Sequence, residues 1–354
     1  MPRTPSDIPD RVEYRSILDE NGNLDRGLEP SIPDELWLKL YRAMIRARRF
    51  DERMLRLQRQ GRLGTFAPIK GQEASQLGPV AAMRDDDWLV PAFREAAAEA
   101  WRGRTLESVL LYYGGFNQGG TVPEGSTNLP GTIPVGTQIL HGAGLGYAIK
   151  YRKKDSVAVV FFGDGATSEG DFHEGLNFAA VFQVPTIFVC QNNLYGLSQP
   201  WEASGYKCYL ARRAQSYNMP GSCVDGMDAI AVYREVKETV DLARSGEGPS
   251  FIEAKTYRFL GHYVGDPGLY MPAEERKAWR ERDAIVKLGR QLRAWGYLTE
   301  EEDESLRAGV EAELQEGVEY ARSSPLNPPE AALEDLYVHF DPAGNPLDGG
   351  PQGL

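Results

Sequence analysis

A chain of 354 residues can bury a sizeable core, and its 42% hydrophobic and 25% charged residues are the composition of an ordinary globular protein, read here as one large α/β domain. The formal net charge of −12 argues against nonspecific binding to nucleic acid or to an anionic membrane. The N-terminus, Met-Pro-Arg-Thr-Pro-Ser-Asp, lacks a signal's apolar core and no apolar run approaches transmembrane length, so the expected compartment is cytoplasmic, with Cys190, Cys208 and Cys223 as reduced thiols.

Residues 1–33 mix prolines, charges and an Asn-Gly turn without a periodic apolar face, which predicts an irregular arm. From Asp34, a good N-cap, Leu36, Trp37, Leu40, Tyr41, Met44, Ile45 and Ala47 mark a helix to about Gln60, with a solvated arginine-rich face behind it. Gly61 ends it, and Gly64 to Ala74 lead into a second helix. Trp88-Leu-Val-Pro-Ala-Phe-Arg94 reads as a strand and its exit. Between Gly114 and Gly146 ten of 33 residues are glycine, a composition poor in helix propensity and suited to close backbone approach to a ligand. Gly142-Ala-Gly144-Leu-Gly146 fails the dinucleotide spacing and is expected to let a helix pack closely; His141 could reach the site, but a satisfied interior histidine is the better reading.

Val157-Ala-Val-Val-Phe-Phe162 is an apolar run of strand length that delivers Gly163-Asp164-Gly165 at the rim of a buried parallel sheet. Ser168 and Asp171 read as the capping box of a following helix whose inner face is Phe172, Leu176, Ala179 and Ala180. Thr186-Ile-Phe-Val-Cys190 is the next strand and ends at Gln191-Asn192-Asn193. In a right-handed strand-helix-strand unit, Asp164 and Asn193 lie near each other at the carboxyl ends of neighbouring strands, where open α/β sheets place ligands. Strand, Gly-x-Gly, helix also begins a dinucleotide site, one glycine short of its fingerprint here. Against that reading, the aspartate between the glycines would repel a pyrophosphate unless a cation intervened, and the second strand ends in neutral amides instead of a ribose-binding carboxylate. An aspartate oxygen facing an asparagine oxygen suits Mg²⁺, which takes its remaining ligands from phosphate and water. The site therefore reads as one for a metal-bridged diphosphate; the plainer alternative is a helix cap beside a turn of asparagines.

Further on, Asp228 caps a helix whose face is Ile230, Tyr233, Val236, Val240 and Ala243. Phe251 to Thr256 form another strand, and its glycine-bearing exit, Tyr257 to Gly268, carries Arg258 and His262. Residues 272–295 and 299–322 read as two amphipathic helices with solvated acidic faces, the second begun by a Thr299/Glu302 capping box. The last 30 or so residues turn rich in Pro and Gly.

Gly163-Asp164-Gly165, 26 residues, then Asn192-Asn193 resemble the thiamine diphosphate motif. The run GDGATSEGDFHEGLNFAAVFQVPTIFVCQNNLYGLS resembles the alpha subunit of the decarboxylating first component of 2-oxo acid dehydrogenase complexes, over roughly residues 30–325. The resemblance implies a three-layer parallel-sheet thiamine diphosphate-binding fold over residues 34–325 with C-terminal helices, and a tail over 326–354. It implies that Asp164, Asn193 and the backbone carbonyl of Tyr195 coordinate Mg²⁺, and that Gly165 and Ala166 approach the diphosphate through the backbone. Arg94 and Arg258 would balance phosphate charge, with Phe93 where relatives present a tyrosine. Ile133 and Val135 would hold the aminopyrimidine through their backbone, and His262 would sit in the channel to the reacting carbon, orienting cofactor and lipoyl group. Glu95-Ala96-Ala97 departs from relatives that place a histidine there. Tyr263 replaces a regulatory serine, so no phosphorylation switch is expected, and Met271 stands where relatives have arginine.

The same resemblance implies that a glutamate on a separate beta subunit completes the site in an α2β2 assembly, and that the acyl group passes to a lipoyl-bearing acyltransferase. Arg59-Gln-Gly-Arg-Leu-Gly-Thr-Phe-Ala-Pro68 and Val122-Pro-Glu-Gly125 resemble bacterial pyruvate dehydrogenase alpha chains, which implies pyruvate as the first choice of substrate. Gly261-His-Tyr-Val-Gly-Asp-Pro267 also resembles acetoin dehydrogenases, and branched-chain 2-oxo acids share the scaffold. From another class, a noncatalytic dinucleotide-binding or regulatory subunit remains.

Overall fold

The computed structural model describes residues 12, 14–19, 23–25, 27, 34–204 and 209–329. Cys208, most of the N-terminal arm and nearly all of the expected C-terminal tail lie outside the described residues. A six-stranded, wholly parallel sheet runs through the described residues in the order β1-β7-β8-β4-β3-β2. Its strands are β1 (Tyr14–Arg15), β2 (Trp88–Val90), β3 (Ala158–Gly163), β4 (Thr186–Asn192), β7 (Gly221–Asp225) and β8 (Ser250–Lys255), while β5 (Tyr195–Gly196) and β6 (Gln199–Pro200) form a small antiparallel pair beside it.

Every residue of β4 is buried, because a parallel sheet with helices on both faces leaves its central strands no solvent side. Alternation then divides the core. Val159, Phe161, Ile187, Val189 and Ile252 face one layer, made by α1 (Asp34–Arg59), α2 (Glu73–Ala81), α7 (Ala229–Arg244), α9 (Ala284–Ala294) and α10 (Glu300–Ser323). Val160, Phe162, Phe188, Cys190 and Phe251 face the other, made by α5 (Thr137–Tyr151) and α6 (Gly170–Phe182). Each such Val, Ile or Phe contributes roughly 1.5–3 kcal/mol relative to exposure. The glycines of α5 allow the close packing that their spacing predicts: a Cβ on Gly142 would lie 2.1 Å from Val160 Cγ2, and one on Gly146 would lie 2.1 Å from Thr186 Oγ1.

Several elements differ from expectation. The arm is not wholly irregular: Tyr14–Arg15 add an edge strand against Cys223 and Val224, and Ile17 and Leu18 are buried. Asp228 explains the anchoring, since one carboxylate oxygen caps Ile230 and Ala231 while the other accepts from the backbone N–H groups of Ile17 and Leu18. The basic face of α1 is not simply solvated, nor is the acidic face of α10, for Arg46 and Arg49 pair with Glu313 and Glu311. The single helix expected over 272–295 is two, α8 (Ala273–Glu281) and α9, because Asp283 accepts from Ile285 N and starts a new helix. Ser168 does not cap α6. It ends a 3₁₀ turn, Asp164–Ser168, and Glu169 occupies the cap position. The Thr299/Glu302 capping box is present.

Candidate functional site

Register places the site. Gly163 at the end of β3 pairs with Gln191 on β4, so the turn after β3 and the Asn192-Asn193 turn after β4 open at one edge of the sheet. The exit of β2 brings Phe93 and Arg94 to the same edge. A cleft of about 390 Å³ lies there, lined among others by Arg94, Val135, Asp164, Gly165, Asn193 and His262. Phe93, Ala166 and Tyr195 also line it.

Asp164 is buried, and burial pushes its carboxyl up to about 6 although the backbone N–H of Asn193 and the charge of Arg258 oppose the shift. Beyond β4, Leu194 and Leu197 adopt φ of +73° and +58°, left-handed conformations that cost a non-glycine residue roughly 1–3 kcal/mol each. The kinked loop turns backbone carbonyls inward: Arg258 Nη2 donates to Tyr195 O at 3.3 Å and to Leu197 O at 2.9 Å, and Arg258 Nε donates to Asn193 Oδ1 at 3.1 Å. Two of the three oxygens assigned to a metal by resemblance thus already face a cationic group. Arg258 Nη1 is buried with no hydrogen-bond partner among the described residues. A carboxylate, an amide oxygen and a peptide carbonyl are hard donors, so the residues present fit Mg²⁺ completed by phosphate and water. A Cβ on Gly165 would lie 3.3 Å from Gly196 Cα, so two bare backbone segments meet beside Asp164, where an anion can approach them closely.

Arg94 is held in the wall. Its Nη1 donates to Pro68 O at 2.7 Å and its Nη2 to His262 O at 3.0 Å. Burial, with Arg258 nearby, lowers it to about 10, which leaves it charged at neutral pH. His262 packs edge-on against Phe93, with ring centroids 5.8 Å apart. Burial and the two arginines hold its imidazole down to about 4, so it is neutral at pH 7.

Other sequence candidates fall elsewhere. Arg258 does not line the cleft but reaches Asn193 from behind. Ile133 lies on a smaller adjoining pocket, so of the Ile133/Val135 pair only Val135 reaches the main cleft. His141 is exposed on α5, its Nδ1 3.0 Å from Thr137 O, and is not the interior histidine expected. Cys190 and Cys223 are free and buried. Sequence reasoning missed Gln72, Glu95, Gln191 and Trp201, all of which line the cleft. Gln72 and Gln191 stand inside the Gly71-Gln-Glu-Ala74 and Gln191-Asn-Asn193 runs at the starts of two turns into the site, which was the available signal. Burial raises Glu95 to about 7 despite Arg94 beside it.

Comparison with known proteins gives the family. The family described as dehydrogenase E1 component matches residues 41–330. The chain is 37% identical over 335 residues to the pyruvate dehydrogenase E1 component subunit alpha of Staphylococcus aureus strain Mu50, covering 94% of this chain and 90% of that protein. It is 36% identical over 330 residues to the protein of the same description from Staphylococcus epidermidis, covering 92% and 89%.

Proposed function

The chain belongs to the dehydrogenase E1 component family, and on that premise we propose that it is the alpha subunit of a thiamine diphosphate- and Mg²⁺-dependent 2-oxo acid dehydrogenase, acting on pyruvate and passing the acyl group to a lipoyl-bearing acyltransferase. The observation that carries this reading is that Asn193 Oδ1 and Tyr195 O both turn to Arg258 while the buried Asp164 lines the same cleft, whose wall holds Arg94 and His262.

Bound thiamine diphosphate supplies the carbon that adds to the 2-oxo acid and accepts the electron pair as carbon dioxide leaves. The protein's own groups bind and orient. Asp164, with Asn193 and Tyr195, anchors Mg²⁺. Asp164 does so as the carboxylate, which its value of about 6 allows at neutral pH. Arg94 and Arg258 add positive charge at the phosphate end, where a buried guanidinium acts with little solvent screening. His262, neutral and braced by Phe93, offers a hydrogen-bonding ring without a charge and orients cofactor and lipoyl group in the channel. The described helices include none long and apolar enough to cross a membrane, and we place the complex in the cytoplasm.

The reading includes a beta subunit that contributes the activating glutamate in an α2β2 assembly. Support comes from the outer face of α5 and α6, where Tyr147, Tyr151, Phe178, Val181 and Phe182 are exposed side by side. Such an aromatic patch marks an interaction surface. The test is the thiamine diphosphate content of the chain purified with its partner from its native host. Roughly one cofactor per alpha-beta pair, lost in Asn193→Ala, is expected. An intact pair that takes up no thiamine diphosphate with added Mg²⁺ would remove the enzyme reading and leave a noncatalytic subunit. Comparing rates on pyruvate, branched-chain 2-oxo acids and acetoin tests the substrate.

A further inference from the structure

Four buried side chains under the cleft form one directed chain of hydrogen bonds. Asn193 Nδ2 donates to Gln72 Oε1 at 3.3 Å, Gln72 Nε2 donates to Gln191 Oε1 at 2.9 Å, and Gln191 Nε2 donates to Glu95 Oε1 at 2.6 Å. Ser75 Oγ gives Gln191 Oε1 a second donor at 3.0 Å. All five residues are at most 6% exposed, so these side chains rely on one another more than on water for partners.

The order of donors has a cause. A carboxamide has nearly the same shape either way round, so its partners decide where its oxygen points. An ionised carboxylate can only accept. Facing Glu95, Gln191 must present its NH₂, which leaves its oxygen for Gln72. Gln72 in turn spends its NH₂ on Gln191 and offers oxygen to Asn193. Asn193 is left with its NH₂ on Gln72 and its oxygen on the side of Tyr195 and Arg258. The Glu95 link is short and charge-assisted, whereas among the described residues Asn193 Oδ1 is held by the longer bonds from Tyr195 N at 3.3 Å and Arg258 Nε at 3.1 Å.

We infer that Glu95 is a positioning residue for the cation: acting through Gln191 and Gln72, it fixes the Asn193 carboxamide with oxygen, not NH₂, facing the metal. The inference rests on the proposed Mg²⁺ and diphosphate site. A reversed Asn193 would aim N–H donors at a cation that takes oxygen ligands.

The experiment uses the chain assembled with its partner subunit at pH 8, where Glu95 is ionised. Thiamine diphosphate binding is followed by tryptophan fluorescence, since Trp201 lines the cleft, while Mg²⁺ is titrated. Glu95→Gln is expected to raise half-saturating Mg²⁺ about 10–100-fold, the usual effect of losing a partner behind a metal ligand. Its maximal quench at saturating Mg²⁺ and the melting temperature of the metal-free assembly stay as in the unsubstituted protein, which a general packing defect would not allow. Gln191→Met, which cuts the chain at similar volume, raises the Mg²⁺ requirement likewise.

The decisive variant is the exchange Glu95→Gln with Gln191→Glu. It moves the acceptor-only group one step along and still compels Gln72 to present its NH₂, so it restores the Mg²⁺ requirement to within about threefold of the starting value by the directional argument. An unchanged requirement in both Glu95→Gln and Gln191→Met overturns the inference, and so does failure of the exchange to restore it. If the unsubstituted assembly binds no thiamine diphosphate at any Mg²⁺ concentration, the underlying site reading falls as well.

Discussion

The floor of the cleft and the outer face of α5 and α6 belong to the same chain and are opposite in character. The floor is polar and buried, and the chain satisfies most of it internally: Gln72, Glu95, Gln191, Asn193 and Arg258 are joined by hydrogen bonds that leave Arg258 Nη1 without a partner among the described residues. The face is apolar and exposed, with Tyr147 stacked on Tyr151 and meeting Phe178 and Phe182 edge-on. The difference separates what one chain completes from what it leaves to a partner. Polar groups withdrawn from water must be paired at once, since each unpaired one costs about 1–3 kcal/mol, whereas an aromatic patch can wait in solvent for a second chain.

The contrast breaks most visibly at the floor. Asp164→Ala in the assembled protein is expected to weaken thiamine diphosphate binding at fixed Mg²⁺ by more than ~100-fold, because even groups behind a metal ligand are worth 10–100-fold. Fluorescence titration measures it, and near-normal affinity would mean that the cation is held elsewhere. Charging the face should do the converse. Tyr147→Glu together with Phe178→Glu is expected to weaken subunit association by roughly 100-fold or more, as loss of aromatic anchors does, while the circular dichroism of the isolated chain is unchanged. Sedimentation that still showed full assembly would deny the face its role.

Two glycines sharpen the contrast on a smaller scale. Gly71, beside Gln72, has φ +103°, and a Cβ there would lie 2.2 Å from Tyr257 O, so Gly71→Ala is expected to destabilise the chain by about 2–4 kcal/mol in denaturant unfolding. Gly144, on the exposed side of α5, has nothing within 4 Å of the place a Cβ would take. Gly144→Ala is therefore expected to stabilise the isolated chain by ~0.5–1 kcal/mol through helix propensity alone, and any cost would appear only on assembly.

The same floor also predicts a pH dependence. Mg²⁺ needs the Asp164 carboxylate, raised to about 6, and by the inference above an ionised Glu95, raised to about 7, so Mg²⁺ affinity is expected to be greatest at pH 8 and to fall with pH below it, by up to about tenfold per unit for each group. His262 moves the other way: its native value is depressed to about 4, so its contribution to stability is present above its ordinary value of 6.5 and is lost as pH falls through 4. Calorimetric Mg²⁺ titrations at pH 5, 6 and 8 check the first, and a pH-independent affinity would contradict it.

The sequence by itself determined the parallel α/β sheet, the placing of Asp164 and Asn193 at neighbouring strand ends and the buried faces of α1, α6 and α7. Those features rest on local periodicity and on one short strand-helix-strand unit, whose handedness chemistry fixes. Only the tertiary structure decided the rest. Gln72, Glu95 and Gln191 come from three separate segments and meet only when α2 and the exit of β2 pack over β4, so no spacing along the chain announces their alignment. The arginines of α1 read as solvated because their partners, Glu311 and Glu313, lie more than two hundred residues away. The arm gained its strand because Asp228 had a second oxygen to spare for Ile17 and Leu18. Local patterns declare which surfaces seek burial and which backbone groups need partners; which partner answers is a property of the packed chain.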